Sequence, residues 1–112
     1  MEPGAYERAA HRKETVMQLQ DQIVIVTGGA AGIGGAISRV LVRRGAKVVA
    51  VDVDGQAGAE LETELGADVA FLRADVGLQE TAELAVRTAV ERFGGLTGLV
   101  NNARSPSPQR SR

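Results

Sequence analysis

The middle of the chain alternates short runs of β-branched residues with segments of helical periodicity. Ile23 to Thr27 (IVIVT), Lys47 to Asp52 (KVVAVD) and Val69 to Leu72 (VAFL) are continuous apolar runs of strand length, and Leu99–Val100, leading into Asn101, reads as a short fourth. Between the first two runs, Ile33, Ala36, Ile37, Val40 and Leu41 fall on one helical face, with Ser38, Arg39 and Arg43 off it. Ala57, Leu61 and Leu65 form a narrower stripe in the next interval, with Glu60, Glu62 and Glu64 outside it. Ala82, Ala85, Val86, Ala89, Val90 and Phe93 make a third face, with Glu83, Arg87 and Glu91 at i, i+4 spacing on the solvent side. Glycines at 45, 66 and 94 stand where each helix should stop.

The predicted order is β-α-β-α-β-α-β. Strands apolar throughout are buried on both faces, which implies a parallel sheet covered by helices on both sides. Right-handed connections then restrict the topology to a doubly wound α/β sheet, expected in the order 3-2-1-4. Its direction reverses between strands 1 and 4, and ligands bind such sheets there, at the carboxyl ends of the strands.

That place carries the most informative residues. Thr27-Gly28-Gly29-Ala30-Ala31-Gly32-Ile33-Gly34 joins the first strand to the first helix. Gly28 can supply a tight turn, Gly32 can bring the backbone against an anion with no Cβ between, and Gly34 can let helix and strand pack closely. The helix N-terminus then offers unpaired N–H groups and the positive end of its dipole to a pyrophosphate. The spacing G-x-x-x-G-x-G is not a P-loop, because Ile33-Gly34 stands where Lys-Ser/Thr would follow.

Thr-Gly-x-x-x-Gly-Ile-Gly directly after an apolar strand resembles the signature of the short-chain dehydrogenase/reductase family. The resemblance implies a Rossmann-like three-layer αβα fold and a nicotinamide dinucleotide bound along Gly28, Ala31, Gly32, Ile33 and Gly34. Asp52, at the end of the second strand, can accept hydrogen bonds from the adenosine ribose and would repel a 2′-phosphate. Val53 and Ala31 offer no positive charge to offset that repulsion, so NAD is favoured over NADP. Asp54 is better placed than Asp52 to cap the following helix. Asp75-Val76 is similar to the family pair whose carboxylate meets the adenine amino group while the valine lines its pocket. Asn101-Asn102-Ala103 is similar to the family's Asn-Asn-Ala-Gly, in which the first Asn ties the sheet together and the backbone at Asn101 and Ala103 runs along the cofactor. Arg104 replaces the glycine.

Resemblance covers residues 17 to 103, the first third to half of a family domain. Family catalysis uses a Ser, a Tyr, and a Lys four residues after that Tyr. The only tyrosine is Tyr6, with Ala10 four residues on, so no Tyr-x-x-x-Lys exists and no catalytic residue is assigned. Ser105 and Ser107 read as tail. Met17-Gln18-Leu19-Gln20-Asp21 resembles a family start, which leaves residues 1–16 as a disordered extension or an upstream-assigned start. Residues 104–112 read as a disordered tail, or as the product of a frameshift or fragmentary gene. A complete parent would transfer hydride between NAD and an alcohol or carbonyl. The alternatives are a non-catalytic nucleotide-binding or interaction module and a gene remnant.

Composition narrows the remaining classes. A net charge of −1 and 3% aromatic residues argue against nucleic acid. With no cysteine and one histidine, His11, thiolate and histidine-rich metal sites are excluded. No apolar run approaches the roughly 18 residues of a membrane span, and no secretory h-region follows the basic N-terminus, so a cytoplasmic location is expected. An unpaired fourth strand would leave Val24, Val26, Leu99 and Val100 as candidates for exposed apolar surface and would favour self-association through that edge.

Overall fold

A computed structural model describes residues 19–102. The expectations for residues 1–16, Ala103, Arg104 and the 104–112 tail lie outside the described residues. Four strands, β1 (Ile23–Thr27), β2 (Lys47–Asp52), β3 (Val69–Arg73) and β4 (Gly98–Asn101), alternate with helices α1 (Gly32–Arg43), α2 (Gly55–Leu65) and α3 (Gln79–Phe93). A 3₁₀ turn at Gly66–Asp68 precedes β3. All strand pairs are parallel, in the order β3-β2-β1-β4. Gly45, Gly66 and Gly94 mark the helix ends with positive φ, as the sequence predicts.

Strand alternation divides the core into two layers. Val24, Val26, Val48, Ala50 and Val69 face one way, where they meet Leu61 of α2 and Ile37, Leu41 and Val42 of α1. Ile25, Val49 and Val51 face the other way, toward Ala85, Ala89 and Phe93 of α3. Helices α1 and α2 thus share one face and α3 takes the opposite one. Right-handed connections require this when the chain steps from β1 toward β3 and then returns to β4.

Three packing expectations need correction. Val24 and Val26 are buried, at 6% and 0% exposure, because β1 is an interior strand covered by α1. Leu99, on β4, is 64% exposed as expected, whereas Val100 is half-buried on the α1 side. Helix α1 is also turned relative to its apolar stripe. It buries Gly34, Gly35 and Ser38, while Ile33 and Val40 stay 74% and 49% exposed. Large side chains would hold the helix axis away from the sheet, and only the small ones permit the contact its first turn makes. A Cβ on Gly34 would overlap the Gly28 carbonyl, and one on Gly35 would lie 2.8 Å from the Ala30 carbonyl oxygen. Helix α3 buries Thr81, Ala85 and Ala89 but leaves Ala82, Val86 and Val90 exposed, with no other described element over that flank.

Candidate functional site

The site is built at the carboxyl ends of β1 and β2. Gly28 and Gly32 take φ of +64° and +59°, which a side chain would disfavour. The turn is anchored to β2, since the Gly28 and Gly29 amides both donate to the Val51 carbonyl, at 2.7 and 3.3 Å. Asp52 completes the anchorage. One carboxylate oxygen accepts the Ala30 amide at 3.1 Å, and the other accepts the Asp54 amide at 3.2 Å. Asp54 in turn accepts the Ala57 amide at 3.0 Å and caps α2, as its position predicts.

Helix α1 begins differently. Its N-cap is Ala31, no side chain caps it, and its first turn holds no acidic residue. A Cβ placed on Gly32 would meet nothing within 4 Å. The positive φ, rather than packing, accounts for a glycine at 32. The backbone there turns into open space beside the uncapped helix N-terminus, where N–H groups and dipole favour an anion. Ile33, on the first turn, lies beside that space, and its 74% exposure removes it from the core. The residues fit a dinucleotide on these grounds. Asp52 fits as well, since a carboxylate has about four acceptor sites and two are occupied.

Two polar side chains that sequence reasoning placed elsewhere, or left unassigned, hold this loop. Ser38 is fully buried, and its hydroxyl lies 2.8 Å from the Gly29 carbonyl and 3.1 Å from that of Gly34, tying loop to helix. The available signal was its spacing four residues after Gly34, in the row of small residues that faces the sheet. Thr27 is the second. Its hydroxyl donates toward Asn101 Oδ1 at 3.1 Å and accepts the Asn102 amide at 2.9 Å. Asn102 Nδ2 reaches the Gly28 carbonyl at 3.4 Å. The pair Asn101-Asn102 thus joins β4 to β1 and to the start of the glycine loop.

The remaining sequence candidates divide. Val53 is 63% exposed beside Asp52. Asp75 follows β3, and its side chain accepts the Gly77 amide at 2.8 Å in a local turn. Val76 packs half-buried against the α3 layer. The register Asp52↔Arg73 brings Asp75 and Val76 to the same end of the sheet as the glycine loop, two strands from β1. Arg43, which lies off the apolar face of the α1 sequence, is exposed and shares Glu64 with Arg39, linking α1 to α2.

The family profile described as short chain dehydrogenase matches residues 22–111. The chain belongs to this family. It is 42% identical over 88 residues to an uncharacterized oxidoreductase of Thermotoga maritima, covering 76% of this chain and 34% of that protein. It is 45% identical over 87 residues to the L-fucose dehydrogenase of Oryctolagus cuniculus, covering 78% and 30%. Among solved structures, the 3-ketoacyl-(acyl-carrier-protein) reductase of Brucella melitensis, complexed with NADH, superposes with a TM-score of 0.72 at 32% identity, covering 76% of this chain and 35% of the reductase. The chain thus spans about a third of the length of these relatives. Among the described residues, no helix is long and apolar enough to cross a membrane.

Proposed function

We propose that the chain binds NAD(H) at the carboxyl end of its sheet, as the nucleotide-binding part of an oxidoreductase that transfers hydride between the nicotinamide and an alcohol or carbonyl. One observation carries the reading. The N-terminus of α1 has no side-chain cap and no acidic residue in its first turn, and the space beside Gly32 is open. The amides of Gly32, Ile33 and Gly34 would receive the pyrophosphate, with Gly28 and Ala31 shaping the turn. Asp52 would hold the adenosine ribose with Val53 beside it, and Asp75 and Val76 would contact the adenine. Asn101 and Ala103 would lie along the cofactor. Bound NAD(H) supplies the hydride acceptor or donor, and these residues only bind and orient it.

The charge of Asp52, with no basic residue at 31 or 53, supports NAD over NADP. Titration calorimetry of the 112-residue chain with both nucleotides tests this. Tighter NAD binding is expected. Asp52→Asn should weaken NAD binding and narrow the NAD-to-NADP ratio, whereas a merely loosened loop would weaken both equally. Equal affinities in the unaltered chain would overturn the preference, and no binding of either would overturn the reading. The sequence holds no Tyr-x-x-x-Lys, which supports a second reading in which this chain binds nucleotide without turnover. An assay across a panel of alcohols separates the two.

A further inference from the structure

Arg73 is the last residue of β3 and pairs in register with Asp52 at the end of β2. Both side chains leave the same face of the sheet. Val48 and Ala50 on β2, with Val69 and Phe71 on β3, face the α1–α2 layer, and strand alternation carries Asp52 and Arg73 to that side as well. Neighbouring strands lie about 4.8 Å apart, so the two opposite charges are within reach of each other.

They form no ion pair. Asp52 gives its two oxygens to the Ala30 and Asp54 amides, Asp54 accepts the Ala57 amide, and Asp75 accepts the Gly77 amide. Each carboxylate near Arg73 in chain or register is therefore turned onto backbone. Among the described residues, the Arg73 side chain has no hydrogen bond or ion pair. It lies against Gly55 instead, where a Cβ would sit 3.1 Å from Arg73 Cδ and 3.4 Å from Nε. Gly55 opens α2 directly after Asp54. The absent side chain there leaves room for an exposed guanidinium, with its five N–H donors, beside residues 52–54.

Asp52 disfavours a phosphate on the adenosine 2′ oxygen, and no basic residue stands at 31 or 53 to offset it. Arg73 supplies from the neighbouring strand the cation that those two positions lack. Its planar fork of donors matches phosphate oxygens bidentately, whereas the ribose of NAD, with hydroxyls only, offers it no anion. We infer that Arg73 is a specificity-determining residue that admits the 2′-phosphate of NADP, so that the preference for NAD is a balance between Asp52 and Arg73 rather than an exclusion. The inference rests on the nucleotide reading above and deepens it.

Calorimetric titration of the 112-residue chain with NAD and NADP tests it, with 5′-AMP and adenosine 2′,5′-bisphosphate probing the adenosine end alone. NADP should bind measurably, behind NAD. Arg73→Gln should lower NADP affinity about tenfold more than NAD affinity, the worth of one hydrogen-bonded contact to a charged group. It should also lower affinity for the bisphosphate more than for 5′-AMP. Arg73→Lys keeps the charge but loses the fork, and should fall between. Because Arg73 is exposed, Arg73→Gln should melt with the unaltered chain when no nucleotide is present. A loss shared equally by NAD and NADP, or no loss of either, would overturn the inference and leave the nucleotide reading standing. NAD binding with no detectable NADP binding would overturn it too. Absence of binding by both nucleotides would overturn that reading, and the inference with it.

Discussion

Replacing Ser38 with alanine isolates the contact on which the glycine loop depends. The Ser38 hydroxyl is fully buried and bridges the Gly29 and Gly34 carbonyls at 2.8 and 3.1 Å. Gly34 is in a helix and keeps the ordinary backbone donor four residues on. Gly29 is buried and loses this donor, at a cost of about 1–3 kcal/mol for an unsatisfied carbonyl. Alanine returns about 0.5 kcal/mol through its better helix propensity. The net loss is about 0.5–2.5 kcal/mol, which lowers Tm by about 2–20 °C in a domain of this size. Calorimetric or circular-dichroism melting reads that shift directly. Thr63→Ala is the matched control. The Thr63 hydroxyl also bonds back four residues, to the Ala59 carbonyl at 3.0 Å, but it is exposed and bridges nothing. That variant should melt at or slightly above the unaltered chain. If Ser38→Ala behaved like Thr63→Ala, propensity would be the whole effect, and Ser38 would not brace the loop. If it melted early but bound NAD with unchanged affinity, the brace would be real but irrelevant to the nucleotide.

Other perturbations follow from particular contacts. Asp54→Ala removes the side-chain acceptor for the Ala57 amide and should cost about 1 kcal/mol in denaturant unfolding, with Asp54→Asn near neutral. Gly58→Ala should destabilise despite a propensity gain of about 1 kcal/mol, because the new Cβ would overlap the Phe71 ring. Pairing it with Phe71→Leu should recover part of the loss; full stability of Gly58→Ala alone would show that the ring moves freely. Leu61→Ala, at a fully buried site in the α2 layer, should cost about 2–5 kcal/mol and reduce unfolding to a broad transition.

Local pattern determined much of this protein. Continuous apolar runs located the strands to within a residue or so, since a strand buried on both faces has no room for a polar position. Their order followed from connection handedness, which is a property of L-residues rather than of this chain. The glycine loop and the capping role of Asp54 were legible for the same reason: each depends on residues close in sequence. What hydrophobic period could not decide was which side of α1 meets the sheet. It favoured Ile33 and Val40, but the close approach of Gly34 to Gly28 overrode it and turned Ser38 inward. Nor could it show that Asp52 holds the Ala30 amide, or that Thr27 joins Asn101 and Asn102 to the loop. Those bonds link residues 22 to 75 positions apart. They exist only once the strands lie side by side, because a hydrogen bond depends on distances that no local sequence pattern encodes.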